Sequence, residues 1–148
     1  MTTEYKRFTV THTEPTTARA VQIWALWQDV NNWPSWDVGL EHCAIEGDFV
    51  EGNAFTLRPH GAPDAIRAKL IEVSPEQGFT DETRLPFGVL RAKHAFTTGA
   101  GGNQVTHTIE ADVAPEQADF FAKVIWSGME HGLPESVRNI VKVAETRT

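Results

Sequence analysis

The chain of 148 residues has a single cysteine, Cys43, so no disulfide can form within it. Basic residues are scarce: 13 Lys plus Arg stand against 20 Asp plus Glu, for a formal net charge of -7. A nucleic-acid groove needs clustered cations, and an anionic membrane surface attracts the same groups, so neither partner is expected. No run approaches the roughly 18 apolar residues of a membrane-spanning helix, so no membrane insertion is expected. The opening MTTEYKRFTV has no apolar stretch behind its charges; no secretory signal is read there, and a cytoplasmic location is the expectation. Repeats, low-complexity tracts and long linkers are missing, which leaves one domain over 1–148. A chain of that size buries roughly 70% of the surface it exposes when unfolded, enough to fold without staples. A phosphate-binding glycine loop, a Gly-x-Ser-x-Gly elbow and a His-Glu-x-x-His pair are also absent, so no cofactor and no covalent nucleophile are expected.

What the chain does have is tryptophan. Of its five, Trp24, Trp27, Trp33 and Trp36 fall within 13 residues. They sit in a readable order of elements. Tyr5 to Thr13 alternates as a half-buried strand does, with Phe8, Val10 and His12 on one side. Glu14-Pro15-Thr16-Thr17 breaks the strand and offers threonines as helix caps. Ala18 to Val30 reads as a short helix with Ile23, Trp24, Trp27 and Val30 on one face, and Asn31-Asn32-Trp33-Pro34 turns into a second helical piece ending near Asp37. From Leu40 the period changes to two. Strands are expected over Leu40–Glu46, Asn53–Arg58, Ile66–Val73, Phe79–Leu85, Val89–Thr97 and Gln104–Val113, joined by Gly-, Pro- and Asp-bearing turns into an antiparallel meander. Pro115 to Glu145 then reads as a long helix with an apolar stripe through Phe120, Phe121, Val124, Ile125, Leu133, Val137 and Ile140. Gly132-Leu133-Pro134 interrupts that stripe, and Pro134 is expected to kink the helix; Gly128 and Gly132 suggest a close helix approach or a kink.

Several segments resemble the SRPBCC superfamily, whose members include polyketide cyclase/dehydrase-like proteins, START lipid-transfer domains and the birch pollen allergen. They are VQIWALWQDVNNWPSWD (Val21 to Asp37), the Glu46-Gly47 turn, Thr83-Arg84-Leu85-Pro86, Lys93-His94-Ala95-Phe96, Val105-Thr106-His107 and Gly132-Leu133-Pro134-Glu135. The Asp-Val-x-x-Trp-x-x-Trp block is the most specific of them, and the resemblance covers nearly the whole chain. It implies an α+β helix-grip fold: a curved seven-stranded antiparallel sheet wrapped around a long C-terminal helix, two short helices after the first strand, and an enclosed apolar cavity. A cystatin-like cone is the alternative, disfavoured because such cones begin with their helices.

The sharpest constellation is His94 with His107. If Gly99–Gly102 closes a hairpin with Thr98 opposite Asn103, then Phe96 faces Val105, His94 faces His107 and Ala92 faces Ile109. Both imidazoles then lie on the apolar side with Leu90 and Ile109, where they either satisfy each other as core groups, contact a ligand, or act as an acid/base pair. A metal site would need three or four convergent ligands, and Asp81 or His131 alone is in a position to join, so none is expected. Asp81 faces inward if it shares a side with Phe79 and Thr83. Trp24 and Trp27 read as core; Trp33 and Trp36 either complete that core or line the cavity entrance that the resemblance implies, with Trp36 stacking on a ligand. Phe55, Leu57, Phe79, Leu90, Phe96, Phe120, Val124, Met129 and Leu133 are the candidate cavity wall. Arg84 reads as an outward salt-bridging residue, His131 as exposed, and Cys43 as a buried inert thiol.

Three functions are consistent with this pattern. The first is a carrier or sensor that holds a small hydrophobic molecule, such as a lipid, a quinone or a polyketide-like aromatic, as monomer or homodimer. The second is a cyclase/aromatase-type enzyme using the cavity histidines for acid/base help. A chaperone-activating interaction module is the weakest of the three.

Overall fold

The computed structural model describes residues 4–147. Strand β1 (Lys6–Thr16) leads to helix α1 (Ala20–Gln28) and the 3₁₀ helix α2 (Val30–Ser35). Six strands follow: β2 (Leu40–Ile45), β3 (Ala54–Pro59), β4 (Ile66–Ser74), β5 (Gly78–Leu85), β6 (Gly88–Gly99) and β7 (Gly102–Val113). A 3₁₀ turn (Pro115–Gln117), an α-turn (Ala118–Phe120) and a π-helical turn (Phe121–Trp126) run into α3 (Ser127–Thr146). The strands form one antiparallel sheet in the order β1-β7-β6-β5-β4-β3-β2, so the meander from β2 to β7 is completed by β1 returning to pair with β7. This is the α+β helix-grip arrangement, and α3 packs across the sheet's concave face.

Alternation is what makes these segments strands, and it places their side chains. On the inner face of β6 stand Leu90, Ala92, His94 and Phe96; opposite them on β7 stand Ala111, Ile109, His107 and Val105. The register is the expected one, with Thr98 opposite Asn103. Gly102 closes the hairpin at φ 103°, where a side chain would be strained. The outer face carries charges that pair across strands: Arg7 with Asp112, Lys93 with Glu110, and Arg91 and Arg84 with Glu82. These exposed pairs keep the convex side wet and the register definite, at about 0–1 kcal/mol each.

The core divides in two. A larger cluster joins α1, α2, the inner faces of β2 to β7 and the C-terminal half of α3, with Trp27, Ile23, Val30, Leu70, Phe79, Val137 and Ile140 fully buried. A smaller one gathers Ala111, Val113, Phe121 and Trp126 near the start of the C-terminal helix. Side-chain bonds hold the first cluster shut: Trp33 Nε1 donates to the Trp27 carbonyl at 2.9 Å, and Ser136 Oγ donates to Asp37 Oδ1 at 3.1 Å.

Pro134 lies inside a continuous α3, with Leu133, Ser136, Val137 and Ile140 buried around it. Three local expectations are corrected. The irregularity falls earlier, at the π-helical turn, whose wider winding puts Phe121 and Trp126, five residues apart, on the same buried side. That change of phase turns Phe120 and Val124 outward, where they are 62% and 60% exposed instead of lining the interior. Gly128 and Gly132 mark no close approach, since a Cβ at either would meet open space. The threonines before α1 do not cap it: the Gln22 side chain accepts from the Arg19 N–H at 2.8 Å, while Thr16 Oγ1 and the Thr17 N–H both bond Glu145 and tie the strand end to α3.

Candidate functional site

The row that crosses the sheet at His94 is unusual in its residues. Cross-strand pairing sets His12 of β1 opposite His107 of β7, His107 opposite His94 of β6, and His94 opposite Phe79 of β5. His94 and His107 meet edge to face with ring centroids 4.5 Å apart, and His94 stacks on Phe79 at 3.9 Å and 7°. Around them close Trp27, Trp33 and Trp36, with centroids 5.8 to 6.3 Å from one imidazole or the other. Trp27 Nε1 donates to His107 Nε2 at 3.2 Å, which leaves the His107 proton on Nδ1. At the sheet edge His12 Nε2 lies 2.7 Å from Glu14 Oε1.

These surroundings govern protonation. Burial lowers His94 to about 3, and it lowers His107 well below the usual imidazole range, helped by the charges of His94 and His12. Both rings are therefore neutral at neutral pH. The His94 side chain is half-buried as a whole, yet its Nδ1 is sealed from solvent and is the sole buried side-chain nitrogen or oxygen among the described residues with no hydrogen-bond partner.

A second polar group stands beside this row. Asp81 of β5 faces inward opposite Ala92, diagonal to His94, and is 6% exposed. Burial, with the nearby negative charge of Asp37, pushes its carboxyl up to about 8. Asp37, at the end of α2, is itself raised by burial, against the pull of the Gly39 N–H and the Ser136 hydroxyl. The Cys43 thiol, close to both carboxyls, is pushed up to about 12, mainly by burial, and is inert.

Beside the smaller cluster the face is incompletely sealed: Val10, Leu90 and Ile109 on the sheet, and Ile125 and Met129 on the helix side, pack against it but are only half-buried. Ala92, at the centre of the row through Asp81, is half-buried and packs against neither cluster. This incompletely sealed stretch of the inner face, the gap, is apolar along its length, with two polar groups, His94 and Asp81, toward the aromatic residues. Two surface hollows of about 320 and 360 Å³ lie elsewhere, at the β5–β6 turn and beside Pro115, and hold none of these groups.

The expected wall residues separate into three sets. Leu90 and Met129 border the gap, with His94 and Asp81 at its end. Trp36, Phe55, Phe79, Phe96, Leu133 and His107 are buried, and Leu57 packs half-buried on the larger cluster. Trp36 in particular is 2% exposed between Trp33 and His107, which makes it core and not an entrance. Phe120 and Val124 are outside altogether. Arg84 is outward and paired with Glu82, and His131 is exposed. Two contributors escaped sequence reasoning: His12, whose alternation with Phe8 and Val10 already marked it inward, and Trp126, hidden by the π-helical change of phase.

Comparison with known proteins adds three observations. Residues 7–145 match the family described as "Polyketide cyclase / dehydrase and lipid transport". No functionally curated protein matches the sequence. Among solved structures, truncated norcoclaurine synthase from Thalictrum flavum superposes with a TM-score of 0.75 at 17% identity, covering 100% of this chain and 99% of that one. The same synthase in complex with dopamine and hydroxybenzaldehyde gives a TM-score of 0.72 at 17% identity, over 98% of this chain and 90% of that. The di-domain ARO/CYC StfQ from the steffimycin biosynthetic pathway gives 0.75 at 13% identity, over 95% of this chain and 51% of that, so the chain spans about half of that protein. At these identities the likeness is one of fold.

Proposed function

The chain belongs to the polyketide cyclase / dehydrase and lipid transport family, a branch of the SRPBCC superfamily, and from that premise we propose that it binds a small hydrophobic molecule between sheet and C-terminal helix, as a carrier or sensor. The observation that carries this reading is the split core. Apolar residues on a covered face are normally sealed, because packing them together removes water at about 25 cal/mol per Å². Here Val10, Leu90, Ala92, Ile109 and Met129 stay only partly buried on the covered face, which supports apolar surface being left for another molecule to cover. A protein of the same fold is in complex with two small aromatic molecules, dopamine and hydroxybenzaldehyde, which supports a ligand of that class here.

The two imidazoles are poorly suited to the acid/base role the histidine-based cyclase reading gives them. A general acid or base works best with a pKa near the operating pH, and His94 lies near 3 while His107 is also far below its usual range.

Tryptophan fluorescence reports on the gap because Trp27, Trp33 and Trp36 surround its polar end. Titration with naphthalene is expected to change that fluorescence saturably with one site per chain. Ala92→Phe, which fills the floor, is expected to abolish the change while leaving the far-ultraviolet circular dichroism intact. No saturable signal, or one that Ala92→Phe leaves untouched, would refute the reading.

A further inference from the structure

The polar end of the gap carries more information than its hydrophobicity. Asp81 is a carboxyl group 94% buried by its 6% exposure, facing inward, with no hydrogen bond to any described residue. Buried polar side chains are ordinarily paired, and an unpaired one costs about 1–3 kcal/mol or more. His94, diagonal to it on the next strand, carries the one sealed side-chain nitrogen among the described residues without a partner. A carboxyl that keeps a little accessible surface and a sealed, unpartnered imidazole nitrogen therefore flank Ala92 on the inner face.

The groups facing them from the neighbouring elements decide what charge can enter. From α2 comes Asp37, bonded to Ser136 of α3; from β2, Cys43; from β7, His107, engaged by Trp27; from β1, His12, engaged by Glu14. None is a lysine or arginine. The inward-pointing cation of β1, Lys6, lies at the other end of the sheet, 5.6 Å over the Phe8 ring. An anionic ligand would meet two acids and no counter-charge in a desolvated space, which is prohibitive. An ammonium would gain a charge partner only after Asp81 surrendered the proton that burial makes it keep up to about pH 8. A neutral oxygen acceptor needs no such change, because the carboxylic acid already offers the hydrogen.

We propose that Asp81 is the specificity-determining residue of the gap: as a carboxylic acid it donates a hydrogen bond to the carbonyl or hydroxyl oxygen of an uncharged, planar apolar ligand, and fatty acids and other carboxylates are rejected. This rests on the reading that the gap holds a hydrophobic molecule at all.

Four probes of one frame test it: naphthalene, 2-acetylnaphthalene, 2-naphthoate and 2-naphthylmethylamine, titrated against tryptophan fluorescence at pH 7. The ketone is expected to bind about tenfold tighter than naphthalene, the worth of one hydrogen bond, and the carboxylate more weakly than naphthalene. Asp81→Val should remove the advantage of the ketone over naphthalene, whereas Asp81→Asn, which keeps a donor, should retain most of it. At pH 9.5, with Asp81 ionised, the preference should vanish in the native chain and persist in Asp81→Asn. Naphthalene binding without a preference for the ketone overturns this inference alone. Tighter binding of the carboxylate or the amine than of the ketone does the same, as does an equal loss for every probe in Asp81→Val. Failure of all four probes to bind overturns the reading beneath it as well.

Discussion

At the scale of single residues, the tryptophans and histidines form one hydrogen-bonded and stacked unit. Trp27 is fully buried, and its indole N–H is bonded to His107 while its carbonyl accepts from Trp33. Removing that N–H leaves His107 Nε2 buried without a donor. Trp27→Phe is therefore expected to destabilise the fold by about 2–4 kcal/mol, the lost bond adding to the void of the smaller ring. Urea denaturation measures it, and a loss under about 1 kcal/mol would mean that the bond carries no weight. Among the described residues, the two carboxyls, Asp37 and Asp81, have no comparable partners beyond the Gly39 N–H and the Ser136 hydroxyl that bond Asp37. Structure alone does not require Asp81, which is why its place beside the gap reads as a matter of recognition.

At the scale of elements, the site is positioned by how closely β5 and β6 approach. Gly78 begins β5 opposite Ala95, and an added Cβ there would run into the His94 carbonyl oxygen. Backbone cannot give way as a side-chain tip does. Gly78→Ala is expected to cost about 1–3 kcal/mol and to shift the amide resonances of His94 and Ala95 before those of β2 and β3. Thermal melting and amide chemical shifts check this; an unchanged melting temperature would show that the strands can separate freely. Gly88 stands in the same relation to Asp112 at the other end of the β5–β6 hairpin. The π-helical turn does for the C-terminal helix what these glycines do for the sheet: it sets where side chains land, bringing Trp126 in and sending Val124 out.

At the scale of the whole molecule, the buried titratable groups make stability depend on pH in two opposite ways. The unfolded chain takes a proton on His94 near pH 6.5, but the folded protein resists until about 3. Protons thus favour the unfolded state as pH falls through that window, and stability is lost there, with His107 acting in the same direction. Asp81 has the reverse sign: unfolded, it ionises near 3.8, while folded it holds its proton to about 8, so stability falls as pH rises between those values. Asp81→Asn should accordingly be more stable than the native chain, by a margin growing up to about 1.4 kcal/mol per pH unit across its window and level above it. His94→Gln should gain on the native chain as pH drops below 6.5. Urea denaturation at a series of pH values reads both, and variant curves parallel to the native one would contradict the assignment.

Much of this was legible in the residues. Alternation and turn chemistry depend on neighbours a few positions apart, so all seven strands and the His94–His107 pairing could be read from Gly99–Gly102 and the inward set of β6 and β7. The Asp-Val-x-x-Trp-x-x-Trp block pointed to the fold. Local pattern could not reveal the π-helical phase at Phe121–Trp126, because an apolar pair at each turn fits either winding; packing of Trp126 chose between them. Nor could it place Trp36, whose environment comes from His107 and from an Asn139 side chain that donates to its carbonyl. The character of the site was decided last and entirely in three dimensions. Trp27 meets His107 across 80 positions and Ser136 meets Asp37 across 99, and it is the burial that such distant contacts create which lowers the two imidazoles and raises the Asp81 carboxyl.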